Sequence, residues 1–97
     1  MLHSTGRRIA SGPIAVRLGL DPALDQVRLA FAIRRDVGTA VRRNRVRRRL
    51  REIFAALERT GGLPAGRYLV SVRPAASELT FDALRDHVTR ITRQVAA

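Results

Sequence analysis

Residues 35–57, which read RDVGTAVRRNRVRRRLREIFAAL, carry the strongest structural pattern in the sequence. Their apolar residues recur at helical spacing and fall within one arc of a helical wheel: Val46, Leu50, Ile53, Phe54 and Leu57. Such a stripe is typical of an amphipathic helix that buries one face. Gly38 and Thr39 break the strand pattern before it, and residues 61–64 (Gly-Gly-Leu-Pro) end it. The segment therefore predicts one helix with a buried stripe.

The same segment holds most of the excess charge of the chain. From Arg42 to Arg51, seven of ten residues are arginine and none is acidic. The whole chain has 19 basic residues, all of them arginine, against 8 acidic ones, for a formal net charge of +11. A solvated helix usually alternates the sign of its charges to gain i,i+4 pairs, whereas this one repels itself. We therefore expect an anionic partner.

Length and composition narrow the class of protein. A chain of 97 residues, 45% of them hydrophobic, is enough for one domain with a core. The absence of cysteine excludes disulfide frameworks, zinc fingers and thiol chemistry. No apolar run reaches the roughly 18–20 residues of a transmembrane helix, and residues 1–12 lack the apolar region of a signal peptide. We expect a cytoplasmic nucleic-acid-binding domain with no membrane partner, although the charge alone would also suit an anionic membrane surface.

Alternating apolar residues predict strands on both sides of the helix. Residues 14–20 and 27–33 alternate apolar with polar or small side chains, and a short turn separates them, so we expect an antiparallel pair. A shorter strand is expected near residues 8–11, and another at residues 67–73. A last helix begins after Thr80 as N-cap, since the following apolar residues form a stripe: Phe81, Leu84, Val88, Ile91 and Val95.

The order of these elements predicts an α+β fold, in which a small mixed sheet packs against helices in two layers. Residues 1–8 show no periodicity and are expected to form a flexible N-terminal arm, so that a single domain spans residues 9–97. The hydroxyl of Tyr68, in the last strand, is expected to lie at the surface, although stacking of its ring on a base is the alternative.

Nine residues of the basic segment resemble, in order, the signature of the bacterial ribonuclease P protein subunit. They are Gly38, Ala40, Val41, Arg43, Asn44, Arg45, Arg47, Arg48 and Arg51. The family pattern is Gly-x-Ala-Val-x-Arg-Asn-Arg followed by a basic helix. Residues 68–74 and 79–81 also look like the family's last strand and final helix. The resemblance implies a ribosomal-protein-like domain in which the basic helix makes a left-handed βαβ crossover, an exception to the usual hand.

The resemblance also implies a function. The chain would be the non-catalytic protein subunit of ribonuclease P, an endoribonuclease whose RNA subunit uses Mg²⁺ to cleave precursor tRNA at its 5′ end. The protein would bind no cofactor or metal and carry no catalytic residue. Its partners would be the ribonuclease P RNA and precursor tRNA. The implied RNA-binding residues are Arg35, Gly38, Arg43, Asn44, Arg45, Arg47, Arg48 and Arg51, and the implied 5′ leader site is Ala15 and Arg17.

The residue types of the basic segment suit RNA binding independently of the family resemblance. A guanidinium group is planar, always charged, and donates in a fork that matches two phosphate oxygens or stacks on a base. Asn44 offers a donor and an acceptor, which suits a 2′-hydroxyl group or a base edge. Gly38 allows the backbone to turn sharply and approach a phosphate closely. Among these residues, we expect Arg43, Asn44, Arg47 and Arg51 to matter most.

Three departures from the family pattern concern the leader site. Only residues 1–6 precede the first strand region, so the family's first helix and its phenylalanine are expected to be absent. Arg17 stands where the family has a tyrosine, and Asp36 where it usually has lysine. We therefore predict weaker leader discrimination, with Arg17 supplying charge in place of stacking. The alternatives are a ribosomal or other structural RNA-binding protein, a self-sufficient nuclease, and a paralogue with weakened leader binding.

Overall fold

The computed structural model describes residues 6–21 and 23–96. These residues form four strands and two helices: β1 (Arg7–Ser11), β2 (Ile14–Leu20), β3 (Val27–Ile33), α1 (Ala40–Arg59), β4 (Gly66–Val72) and α2 (Phe81–Ala96). Short 3-10 turns at Arg35–Val37 and Pro74–Glu78 lead into the two helices. The α+β class and the order of elements are as the alternation and the helical spacing predict. Within the described residues, neither helix is both long and apolar enough to cross a membrane.

The strands form one sheet in the order β1-β2-β4-β3. β2 pairs antiparallel with both β1 and β4, whereas β3 pairs parallel with β4. The prediction that β2 and β3 form an antiparallel pair is therefore wrong, because β4 lies between them. Alternation of apolar residues shows that one face of a strand is buried. It does not show which strands are its neighbours, because that depends on the path of the chain between them. Here α1 carries the chain from β3 to a parallel neighbour, as parallel strands require. The left-handed sense of this crossover stays a prediction.

The N-terminal boundary of the sheet also differs from the prediction. Arg7 and Arg8 belong to β1 and not to a flexible arm, since they pair in register with Leu18 and Arg17 of β2. Ser11 Oγ lies at hydrogen-bond distance, 2.8 Å, from Nδ1 of His87 in α2, and this contact joins β1 to the helix layer. β1 has five residues and only one of them is buried, so its sequence is too short to display the alternation that marks a strand. The expected arm at residues 1–5, and the expected absence of a family helix there, lie outside the described residues.

Both helices pack on the same face of the sheet. Ile14, Val16 and Leu18 of β2 and every second residue of β4 are buried on this face. The helices contribute the stripes that the sequence predicts: Val46, Leu50, Ile53 and Phe54 from α1, and Leu84, Val88, Ile91 and Val95 from α2. Leu57 and Phe81 complete the stripes as partly buried residues. Full burial of one such side chain stabilises a fold by about 1.5–3 kcal/mol, so this shared core fixes the position of α1 on the sheet.

Tyr68 lies on the core face of β4, contrary to the prediction of a surface hydroxyl. Its side chain is only 2% exposed and stands in register with Leu18 of β2 and Leu29 of β3. The hydroxyl donates a hydrogen bond to the carbonyl oxygen of Pro64, which satisfies its polar tip inside the fold. Burial raises the pKa of Tyr68 above its ordinary value. The ring is therefore not available to stack on a base.

Candidate RNA interface

The start of α1 is set by two residues of the basic segment. Gly38 has φ of 145°, and a Cβ there would lie 3.0 Å from Cδ of Arg42. Thr39 caps the helix, because its side chain accepts a hydrogen bond of 3.3 Å from the backbone nitrogen of Arg42. The first turn contains no acidic residue. Arginines at the positive end of the helix dipole are electrostatically unfavourable in the free protein, which is consistent with an anionic partner.

Four residues along one side of α1 form what we call the arginine ridge: Arg43, Asn44, Arg47 and Arg51. Nη1 of Arg47 donates a 2.7 Å hydrogen bond to Oδ1 of Asn44. The guanidinium carbon of Arg51 lies 5.7 Å from the centroid of the Phe31 ring, on the neighbouring strand β3. Arg43 is half-buried, and its Nε is enclosed without a hydrogen-bond partner among the described residues. These contacts fix the ridge in place while Asn44 and Arg51 remain exposed.

The other arginines of α1 differ in their surroundings. Arg45 and Arg48 are exposed on the outer surface of the helix. Arg49 is half-buried, and its Nη1 donates a 3.3 Å hydrogen bond to the carbonyl oxygen of Leu79. It therefore ties α1 to the segment before α2. Arg35 is exposed in the 3-10 turn just before the helix. The structure thus places the predicted site residues of this segment in the first half of α1 and in the residues just before it.

No carboxylate neutralises this surface from within the described part of the chain. There, the one ion pair with a nitrogen–oxygen distance of 4.0 Å or less joins Arg85 and Asp82 on α2. Glu52 and Glu58 share α1 with the arginines, but neither comes within that distance of a guanidinium group. The arginine ridge and its neighbours are therefore a cationic surface whose charge has no intramolecular partner in residues 6–21 and 23–96.

The predicted leader residues lie elsewhere, on the face of the sheet that the helices leave uncovered. We call it the open face. Ala15 and Arg17 of β2 point there, because they alternate with the buried residues of that strand. The registers place Ala15 opposite Ser71 and Arg17 opposite Leu69 of β4. The structure therefore does not bring the leader residues together with the arginine ridge, since the sheet and its core lie between them.

Other exposed arginines were not predicted as site residues. The registers align Arg8, Arg28 and Arg67 with the open face. At one end of the sheet, Ile33 pairs with Val72, so the arginines that follow each strand, Arg34 and Arg73, leave the sheet side by side. Each is a single arginine in a strand or just after one. No local signal in the sequence marks them, because their grouping depends on which strands pair.

Comparison with known proteins agrees with this geometry. The ribonuclease P family model matches residues 1–96. The chain belongs to the ribonuclease P protein family. The resemblance inferred from the basic segment is therefore confirmed.

Individual relatives carry the same family name. The ribonuclease P protein component of Gluconacetobacter diazotrophicus is 37% identical over 92 residues, which cover 94% of this chain and 78% of the relative. That of Acidothermus cellulolyticus is 41% identical over 88 residues, covering 89% and 72%. That of Bacillus pumilus is 36% identical over 76 residues, covering 77% of this chain and 62% of the relative. This last match thus spans less than two thirds of the relative's length.

Solved structures confirm the fold. The ribonuclease P protein of Thermotoga maritima superposes with a TM-score of 0.78 at 26% identity, covering 95% of this chain and 86% of that one. The Staphylococcus aureus protein superposes with a TM-score of 0.83 at 21% identity, covering 97% and 84%. The two-layer α+β architecture is therefore that of bacterial ribonuclease P proteins.

Proposed function

We propose that this chain is the protein subunit of ribonuclease P and assists the Mg²⁺-dependent 5′ maturation of tRNA in the cytoplasm. Family membership supports this role, and one structural observation carries the proposal. That observation is the arginine ridge on α1, which makes one internal hydrogen bond and one cation–π contact and has no carboxylate partner in the described residues. Guanidinium groups that reach solvent and are free of carboxylates can bind folded RNA through phosphates and bases.

The arginine ridge would contact the ribonuclease P RNA. Arg35, Arg45 and Arg48 extend the same surface, and Gly38 allows close approach of the backbone at the start of α1. If all seven arginines between Arg42 and Arg51 met phosphates, the affinity would fall with a logarithmic salt slope of about −5 on the single-strand scale. The half-buried Arg49, which is bonded to Leu79, is expected to contribute least. Binding should therefore weaken steeply with added salt.

The 5′ leader of precursor tRNA would lie on the open face, across Ala15 and Arg17. In this arrangement the protein contacts two RNA molecules from two sides of one sheet. Its contribution is electrostatic and positional, since it lowers the repulsion between two polyanions and orients one on the other. The RNA subunit would carry the chemistry and bind the Mg²⁺. Among the described residues, no three His, Asp or Glu side chains are grouped as a metal site would require.

Reconstitution tests the proposal directly. The protein is mixed with ribonuclease P RNA and precursor tRNA at low Mg²⁺, and release of the 5′ leader is measured. We expect cleavage that neither component supports alone. The variant R43Q/R47Q/R51Q should bind the RNA roughly a thousandfold or more less tightly, because three charge-assisted hydrogen bonds at about 1.5 kcal/mol each sum to about 4.5 kcal/mol.

The matched control variant removes three positive charges from outside the arginine ridge. The variant R59Q/R90Q/R93Q loses three exposed arginines outside the arginine ridge, and it should keep most of the affinity. No cleavage by the mixture would refute the proposal. Cleavage by the protein alone would favour a self-sufficient nuclease, and co-purification with ribosomal subunits would favour a ribosomal RNA-binding protein.

A further inference from the structure

Val41, in the first turn of α1, is an apolar side chain that lies open to solvent. It is 69% exposed, against 46% for Leu20 and 40% for Leu69, the other exposed large apolar residues in the described part of the chain. Its neighbour Ala40 is also exposed. A β-branched residue loses side-chain freedom in a helix and favours the helix less than alanine does. Neither packing in the core nor helix formation therefore accounts for a valine at this position.

The place of Val41 on the helix matters more than its exposure, because single apolar residues are common on protein surfaces. Asn44, Arg45 and Arg48 follow it by three, four and seven residues. Residues at these spacings lie on one face of a helix, with about 5–6 Å between the Cβ atoms of neighbours. All three are exposed, as Val41 is. The valine therefore lies among side chains that the proposed function assigns to RNA.

The charge around Val41 selects the kind of partner. Neither Arg45 nor Arg48 lies within 4.0 Å of a carboxylate among residues 6–21 and 23–96. The next acidic residue on this helix face is Glu52, which lies eleven residues after Val41 and about 16 Å further along the helix axis. A second copy of this chain, with a net charge of +11, would be repelled from such a surface.

RNA satisfies both kinds of group at once. Its phosphates match the guanidinium groups, and its riboses and unstacked bases present apolar surface beside those phosphates. An apolar centre that excludes water, surrounded by charged and polar groups, is also the usual arrangement of the residues that dominate a binding interface.

We infer that Val41 packs against the apolar surface of a nucleoside in the RNA whose phosphates Arg45 and Arg48 bind. That this RNA is the ribonuclease P RNA rests on the proposed function. The inference adds that part of the affinity does not depend on salt, because the burial of an apolar group releases no counterions.

The test measures the affinity of the full chain for ribonuclease P RNA between about 0.05 and 0.2 M monovalent salt. Val41→Ala removes two carbon groups, each of which contributes about fourfold to affinity when buried, so it should bind roughly tenfold less tightly at every salt concentration. Its logarithmic salt slope should equal that of the wild type. Arg45→Gln loses a phosphate contact instead, so its slope should become shallower by about 0.7–0.9.

Two controls separate the apolar contact from changes in shape and in folding. Val41→Thr keeps the branched shape but places a hydroxyl group where a methyl group was, so it should also lose affinity without a change of slope. Leu20→Ala removes an exposed apolar side chain of β2, outside α1, and should leave the affinity unchanged. Val41→Ala should not lower Tm, because the valine lies outside the core and alanine is the better helix former.

The outcomes distinguish this inference from the function on which it rests. If Val41→Ala binds the RNA as tightly as the wild type, the inference is wrong and the proposed function stands. A shallower salt slope for Val41→Ala would also overturn it, since the loss would then come from displaced arginines. So would self-association of the free protein, measured by sedimentation, that Val41→Ala abolishes. If the wild-type protein does not bind ribonuclease P RNA at all, the proposed function fails and this inference fails with it.

Discussion

Replacing Arg51 with alanine separates a binding role from a structural one. Its guanidinium carbon lies 5.7 Å from the centroid of the Phe31 ring, and the side chain is exposed. A cation–π contact at an exposed site stabilises a fold by about 0.5–1 kcal/mol. Arg51→Ala should therefore lower the free energy of unfolding by about that amount, which for a domain of this size is a fall in Tm of roughly 2–8 °C.

The effect on RNA binding should be larger. A hydrogen bond to a charged group contributes about 1.5–3 kcal/mol, which corresponds to a 10- to 150-fold loss of affinity for ribonuclease P RNA. Urea unfolding and filter binding at fixed salt measure the two effects on the same preparation. Arg51→Lys should recover the salt dependence but not the full affinity, because an ammonium group does not reproduce the planar fork.

Two controls make the comparison interpretable. Phe31→Leu removes the ring beneath Arg51 and also its edge contact with Phe54, whose centroid lies 6.4 Å away. It should therefore cost more stability than Arg51→Ala and less RNA affinity. Arg48→Ala removes an exposed arginine that, among the described residues, has no cation–π contact, and it should leave Tm unchanged. If Arg51→Ala lowers the unfolding free energy by more than about 3 kcal/mol and RNA affinity stays the same, the role assigned to Arg51 is wrong.

Three further predictions concern the backbone, the core and the open face. Gly38→Ala should cost about 1–3 kcal/mol of stability, because φ of 145° is strained for a residue with a Cβ and the added atom would meet the Arg42 side chain; an unchanged urea midpoint would contradict this. Burial raises the pKa of Tyr68, so there is a range of alkaline pH in which the hydroxyl is protonated in the folded protein but ionised in the unfolded chain. Its contribution to stability is complete below about pH 10 and declines as the pH rises further, and Tyr68→Phe should reduce that decline in alkaline unfolding curves. Arg67→Gln should raise the unfolding free energy by about 0.2–1 kcal/mol, since it relieves the opposition to Arg28; a lower value would mean that Arg67 supports the fold.

The basic segment shows how much local sequence can determine. The apolar stripe of α1 has a period that only a helix satisfies, and Gly38 and Thr39 mark its start, so the helix and its buried face follow from residues a few positions apart. The alternation of residues 14–20 and 27–33 likewise predicts β2 and β3 with the observed bounds. The nine ordered residues from Gly38 to Arg51 also suffice to identify the family, because that signature lies within one continuous segment at the start of α1.

The pairing of the strands depends on long-range contacts, which the local pattern of residues does not show. The sequence places β2 next to β3, yet β4 lies between them, because α1 covers the core face and returns the chain parallel to β3. That insertion aligns Arg28 with Arg67, and the hairpin of β1 aligns Arg8 with Arg17. Each of these is an isolated arginine in the sequence. Periodicity reports which face of a strand a residue occupies, but a charged surface made from four strands exists only after long-range pairing has brought the strands together.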